Sequence, residues 1–229
     1  MTRSTVRKPK LGIVTYDVQH RKTQEVAFGL HAAGLDDLTL VTVPFSPRKP
    51  RDVAFAHRPD MFEGPDPRAL GKALGADIVP YAGVTDADGF DYLIIGGAGL
   101  LPVDQFSRTK VLNVHPGLTP LVRGLDSFKW AILDGAPIGN TLHYVDAGVD
   151  SGEVIAQRRL PIFSDDTIEL VAQRLYRDEI NMMLDFQNLI AGGTTLDLEE
   201  GPAHMRMPRS KEALMLDAFP AWRDTHAVA

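Results

Sequence analysis

Leu11-Gly12-Ile13-Val14-Thr15-Tyr16 is a largely apolar run, and it is followed at Thr23 to Ala33 by a segment placing Val26, Phe28, Leu30 and His31 in a helix-like pattern before Gly34. The first run predicts a buried strand, and the second a helix that Gly34 can close. The same alternation continues outward. Leu38 to Val43 is a second apolar run, Arg68 to Leu74 a short helix, Asp77 to Pro80 a short strand, and Tyr92 to Ile95 an apolar strand ending in Gly96-Gly97-Ala98-Gly99. Val111 to Val114 is a further strand, ending on His115-Pro116. Parallel neighbours need a connection long enough to return across the sheet, so strands alternating with helices predict an α/β fold with a mostly parallel sheet and right-handed crossovers. Pro44 to Asp66, rich in proline and basic residues without a sustained period, reads as a long loop.

Beyond His115, Asp126 to Leu133 reads as a helix stopped by Asp134-Gly135, and Thr141 to Val145 and Glu153 to Ile162 read as strands. Ser164, Asp165 and Asp166 offer cap oxygens for a single long helix from Thr167 to Ile190, with Ile168, Val171 and Leu175 at helical spacing and Gly192-Gly193 at its end. The expected division is a catalytic domain over 1–193 and a C-terminal extension over 194–229. That tail carries little periodicity and reads either as a docked extension or as a partner-binding arm.

With 229 residues and 44% of them hydrophobic, the chain can bury one sizeable core. Its 24 basic and 30 acidic residues give a net charge of −6, which disfavours nucleic acid and anionic lipid as partners. No cysteine is present, so disulfides, thiolate nucleophiles and thiolate metal ligands are excluded. The basic start, Met1 to Lys8, lacks the apolar centre of a signal peptide, and no stretch is long and apolar enough to span a bilayer. A cytoplasmic protein without a metal is the expectation.

Asn113 and His115 stand two apart on a strand, so their side chains leave the same face. At the carboxyl end of a parallel strand, such a pair sits where open α/β sheets bind ligands. The alternative is ordinary strand-end packing, with Asn113 satisfying loop backbone and His115 buried. Asp150, between Gly148 and Gly152, likewise reads either as a turn aspartate or as a partner for an imidazole.

The larger pattern resembles the folate-dependent formyltransferase family, which includes glycinamide ribonucleotide, methionyl-tRNA and amino-sugar N-formyltransferases. Asn113-Val-His115-Pro-Gly-Leu-Thr-Pro120 is similar to the family's Asn-x-His-Pro-Ser/Gly-Leu-x-Pro signature. Arg123-Gly124 and Trp130-Ala131-Ile132 continue it, and Thr141-Leu142-His143-Tyr144-Val145 with Gly148-Val149-Asp150-Ser151-Gly152 resembles the second block. The resemblance implies a Rossmann-like formyltransferase domain and 10-formyltetrahydrofolate as formyl donor. It also implies catalytic roles for Asn113, His115 and Asp150, with Asn113 and a His115 imidazolium donating to the formyl oxygen and Asp150 orienting the imidazole and relaying a proton. It places the folate pterin beside Gly99, Leu100 and Leu101 and beside Asp146, Ala147, Gly148 and Val149. His143 fits the second block but reads as a packed strand histidine. Gly96 to Gly99 lacks the spacing of a dinucleotide fingerprint.

The departure lies after the first strand. Members that act on glycinamide ribonucleotide carry a glycine-rich, phosphate-cradling turn there, and this chain has Thr15-Tyr16-Asp17-Val18-Gln19-His20-Arg21-Lys22-Thr23 instead. Tyr16, His20, Arg21, Lys22 and Arg123 are the expected acceptor contacts. Arg48, Lys49, Arg51, His57 and Arg58 add basic residues in the following loop, and the pattern suggests an anionic amino sugar, nucleotide-linked or nine-carbon acidic, as the amine acceptor. Alternatives are phosphoribosylglycinamide formyltransferase, formyltetrahydrofolate hydrolase and a catalytically silent binding module. With only a short tail after Gly193, and without an N-terminal regulatory domain, tRNA transfer and folate hydrolysis are the less expected branches. Homodimers are common in the family.

Overall fold

The computed structural model describes residues 7–47, 49–58, 60–81, 89–99, 101, 103, 106, 108–146, 150 and 152–228. Two compact units are present: Met1–Ser46 with Asp60–Leu112, and Pro47–Pro59 with Asn113–Ala229. The first unit contains β1 (Leu11–Tyr16), α1 (Arg21–Ala32), β2 (Leu38–Val43), α2 (Pro67–Leu74), β3 (Asp77–Pro80), β4 (Tyr92–Ile95) and the first half of β5 (Lys110–His115). β1 lies between β2 and β4 and runs parallel to both, while β3 pairs parallel with β2 and β5 with β4. Leu11, Ile13 and Val14 are fully buried, which explains an apolar run rather than a period-two alternation. Gly12 is required by close packing, since a Cβ there would stand 2.3 Å from Leu93 Cδ2. α2 is closed at both ends by local chemistry: the Asp66 carboxylate accepts from the Ala69 amide, Pro67 opens the helix, and Gly75 adopts φ +66° just past its end.

The second unit holds the end of β5, then β6 (Arg123–Gly124), α3 (Ser127–Leu133), β7 (Gly139–Tyr144), β8 (Val154–Arg159), α4 (Ile168–Leu184), α5 (Phe186–Gly192), β9 (Ala203–His204) and α6 (Arg209–His226). The strands form a seven-stranded sheet in the order β3-β2-β1-β4-β5-β7-β8, with β7 and β8 antiparallel, and β6 pairs with β9 separately. The fold is thus the expected mostly parallel, Rossmann-like sheet with flanking helices. Among the described residues no helix is long and apolar enough to cross a membrane. The core of this unit gathers Phe128, Trp130 and Ile132 of α3, Val171 and Leu175 of α4, and Met215, Phe219 and Trp222 of α6.

Two expectations are corrected. The helix expected from Thr167 to Ile190 is two helices, because Asp185 takes φ −93° and ψ 9° between them and its carboxylate accepts from Arg158 and from Asn188. Those bonds hold Asp185 at the junction, and the fully buried Phe186 opens the next helix. The tail contains an 18-residue helix, α6, whose buried positions Glu212, Met215, Phe219 and Trp222 are spaced three, four and three apart. Its period is hidden in the sequence by Pro220 in its interior and by a carboxylate on its inward face. That carboxylate, Glu212, is fully buried and accepts from Lys129 Nζ at 2.6 Å and from the Ala54 amide at 2.6 Å.

Candidate active site

β5 carries Leu112 and Val114 into the core, which sends Asn113 and His115 to the other face. After His115 the chain turns sharply at Pro116 and Gly117. A Cβ on Gly117 would lie 2.6 Å from the Val122 carbonyl oxygen and 2.7 Å from His115 Nε2, so the ring and the turn pack where only glycine fits. A buried polar framework fixes the turn: Thr141 Oγ1 donates to the Gly117 carbonyl at 2.7 Å and accepts from the Thr119 amide at 3.1 Å. Gln157 Nε2 donates to the Thr119 carbonyl at 2.5 Å. The Thr119–Pro120 peptide is cis. Gly117→Ala is therefore expected to displace the imidazole, and loss of the His115 ring contacts in a structure or NMR spectrum of that variant is the check.

His115 is buried, 4% exposed, and its Nδ1 lies 3.3 Å from Asp150 Oδ2. Asp150 has φ +50°, a left-handed conformation that costs a non-glycine residue energy and is least unfavourable for Asp and Asn. The loop is anchored beyond it at Gly152, where a Cβ would meet the Tyr144 carbonyl oxygen at 1.7 Å. Burial pushes the Asp150 carboxyl up, but the hydrogen bond and charge of His115 and the Gly124 amide outweigh it, holding the group below its ordinary 3.8. An ionised carboxylate therefore faces His115 Nδ1 at neutral pH. On the other edge, His115 Nε2 stands 3.0 Å from Ser127 Oγ. Ser127 gives its own proton to the Gly124 carbonyl at 2.8 Å, so its oxygen is left to accept from the ring. Both ring nitrogens thus face oxygen atoms that can accept from them.

Asn113 reaches this group through His143, its Nδ2 lying 3.2 Å from His143 Nε2. His143 Nδ1 faces the Tyr144 carbonyl, which can only accept, at 3.0 Å. The neutral His143 ring thus donates from Nδ1 and accepts at Nε2, and this orients the Asn113 amide with its nitrogen toward the histidine. Burial depresses the His143 pKa below 6.5, against the Tyr144 carbonyl, and the nearby His115 charge adds to the depression. A base whose folded pKa is depressed contributes stability that is complete above its unfolded value and is lost as pH falls from 6.5 through the folded value. Acidification below pH 6.5 is accordingly expected to lower the melting temperature of the native protein more than that of a His143→Gln variant; parallel melting curves across that range would contradict it.

The remaining expected contacts divide by unit. In the first, Gly99 is exposed with open space about its Cα and Leu101 is half-buried. Tyr16 stands edge-on to His20 at 5.5 Å and to Phe45 at 5.1 Å. His20 is buried, its Nδ1 held by Thr23 Oγ1 at 2.9 Å, and Thr23 donates on to Thr15. Arg21 is engaged by Glu25 at 2.8 Å and by Asp60 at 3.4 Å, and Lys22 is buried. In the second, Asp146 is exposed after β7, and Arg123 donates to Glu200 at 2.9 Å and to the Gly201 carbonyl at 3.3 Å. Leu100, Ala147, Gly148, Val149 and Arg48 lie outside the described residues. Ser127 and the peptide groups about Gly124 were not singled out by sequence, because a serine one residue past a turn gives no signal of what it will face. His143 was legible as part of the second block, yet nothing in a strand histidine announces that it will orient an asparagine. Among the described residues no group of three or more His, Asp or Glu side chains is arranged to hold a metal ion.

A formyl transferase family model matches residues 91–186. Phosphoribosylglycinamide formyltransferase of Bacillus subtilis is 41% identical over 71 residues, covering 31% of this chain and 36% of that protein, so the chain spans about a third of the length of that relative. Among solved structures, a sugar N-formyltransferase from a Shewanella species superposes with a TM-score of 0.59 at 18% identity, over 90% of this chain and 87% of that one. An N-formyltransferase from Helicobacter canadensis, solved with folinic acid and dTDP-3-aminofucose, gives 0.57 at 16% identity, over 80% of this chain and 64% of that one. At these identities the structural likeness speaks to the fold. The matched segment holds Asn113, His115, His143 and Asp150 together with both motif blocks, and over residues 91–186 the chain is similar to the formyl transferase family.

Proposed function

We propose that the protein moves a formyl group from 10-formyltetrahydrofolate to a primary amine of an amino sugar. The observation that carries this reading is the pairing of His115 with Asp150 beside an Asn113 amide held by His143. When bound, the donor supplies a formyl group on its N10: the amine nitrogen bonds to the formyl carbon, the carbon–N10 bond breaks, and the amine's proton passes to N10. Negative charge grows on the formyl oxygen along the way, and preorganised donors at that point lower the barrier most. Asn113 gives one amide hydrogen to His143 and has a second to offer that oxygen. His115 stands beside it, and Asp150 orients the ring and can carry the proton through water. Contacts of the donor with Gly99, Leu101 and Asp146 rest on the resemblance; open space about Gly99 is compatible with a flat heterocycle against the backbone.

The choice of acceptor is supported by the turn after β1. A phosphate cradle needs backbone amides pointing outward together. Here the Asp17 amide donates to Val43 and the Arg21 amide to Met61, and in the loop after the neighbouring β4 the Gly96 and Gly97 amides both donate to Val14. A Cβ on Gly97 would lie 2.6 Å from the His20 ring, so that histidine fills the space beside the turn. These features favour a sugar amine, nucleotide-linked or on a nine-carbon acid, over glycinamide ribonucleotide. The relative that acts on phosphoribosylglycinamide keeps the second reading open to the same experiment. Purified protein is incubated with donor and a panel of amino sugars, nucleotide-linked and nine-carbon acidic forms included, beside glycinamide ribonucleotide, and products are weighed. One added formyl group on a sugar amine is expected. Formyl on glycinamide ribonucleotide would assign the protein to purine synthesis, formate released without any amine would make it a hydrolase, and no turnover would leave a binding module.

A further inference from the structure

His115 is held in a closed circuit of hydrogen bonds that returns to a single residue. Its Nδ1 faces Asp150 Oδ2 at 3.3 Å, and the same oxygen accepts the Gly124 amide at 3.1 Å. Its Nε2 faces Ser127 Oγ at 3.0 Å, and Ser127 donates to the Gly124 carbonyl at 2.8 Å. Gly124 can turn its amide toward one partner and its carbonyl toward the other because it has φ +87°, and a Cβ there would stand 2.3 Å from the His204 carbonyl oxygen. Ser127 is 2% exposed and opens α3, so its hydroxyl cannot turn out to water without breaking the circuit.

We infer that Ser127 is a positioning residue for formyl transfer: by accepting the Nε2 proton of His115 it selects which ring edge faces Asp150 and holds the imidazole in that rotation between turnovers. An imidazole paired only through Nδ1 could pivot about that one bond and could flip its edges; a second acceptor on the opposite nitrogen removes both freedoms. This inference rests on the proposed reaction. It does not require any particular sugar.

The test compares Ser127→Ala and Ser127→Thr with the native enzyme, using the amine found by the screen. Ser127→Ala should lower kcat by about tenfold, the worth of one well-made hydrogen bond, while KM for the amine changes little. Ser127→Thr, which keeps the hydroxyl, should recover most of the rate. Nitrogen-15 NMR of the histidine rings supplies a readout independent of turnover: a slowly exchanging Nε2 proton assigned to His115 is expected in the native protein and in Ser127→Thr, and lost in Ser127→Ala. An unchanged kcat with the Nε2 proton still protected in Ser127→Ala would overturn the inference, as would equal losses from alanine and threonine with both variants folded. If the native protein formylates no amine, the reaction fails as a reading, and the ring spectra still decide whether Ser127 holds His115.

Discussion

His115→Ala is expected to reduce amine formylation by about a thousandfold while the cooperative unfolding transition remains. General acid–base and charge-stabilising groups at a reacting carbonyl each contribute about a hundredfold to ten-thousandfold, and His115 is placed to serve both ways. The fold should survive because Asp150, already 17% exposed at its side chain with the ring in place, stays bonded to the Gly124 amide, so water can take the lost partner's place. Asp150→Asn keeps the shape and removes the charge, and should fall nearly as far. Single-turnover rates with saturating amine separate chemistry from binding. A His115→Ala enzyme at native speed would take the imidazole out of the mechanism altogether.

Lys129→Met is expected to cost the second unit about 3–5 kcal/mol in urea unfolding. Lys129 and Glu212 are 3% and 0% exposed at the side chain and stand 2.6 Å apart, so deleting the ammonium strands a buried carboxylate with only backbone amides for company. Adding Glu212→Gln to Lys129→Met should restore most of the loss, because an uncharged amide can still accept from Ala54 without an ion to desolvate. A double variant no better than the single one would show that packing, not charge, is what Lys129 supplies. Burial pushes the Glu212 carboxyl up, but the bond to Lys129 and the Ala54 amide prevail and hold it below 4.5. A carboxyl with a depressed folded pKa contributes stability that is complete above its unfolded value and is lost on acidification through the folded one. The pair's contribution should accordingly fade as pH drops below 4.5.

The centre of the sheet was legible because β1 and β4 are largely buried and write themselves as apolar runs; β2, β3 and β4 have the bounds their composition suggests. Asn113 and His115 were legible for the same reason, as two polar residues at the end of such a run. What could not be read was anything depending on partners distant in sequence. The inward face of α6 includes a glutamate that belongs in a core only because Lys129 waits there, 83 residues earlier. His143 and Ser127 are ordinary residues in their own segments and acquire meaning only when β7 and α3 bring them to Asn113 and His115. The basic look of Arg21 and Arg123 was equally local, since carboxylates from elsewhere in their own units already engage both.

The short passage Pro47–Pro59 belongs with residues that follow Asn113, and this has a bearing on how the protein comes into being on the ribosome. Arg51 donates to the Met207 carbonyl, the Ala54 amide to Glu212 and Arg58 to Glu179, across separations of 156, 158 and 121 positions. Such distant closures are slow because the loop entropy is lost before any contact rewards it. The passage is made early, and its partners Glu179, Met207 and Glu212 are added at least 121 positions later. Until residues 207–212 have been made, Arg51 and Ala54 lack these partners and the nascent polypeptide carries an open seam that a chaperone can meet first.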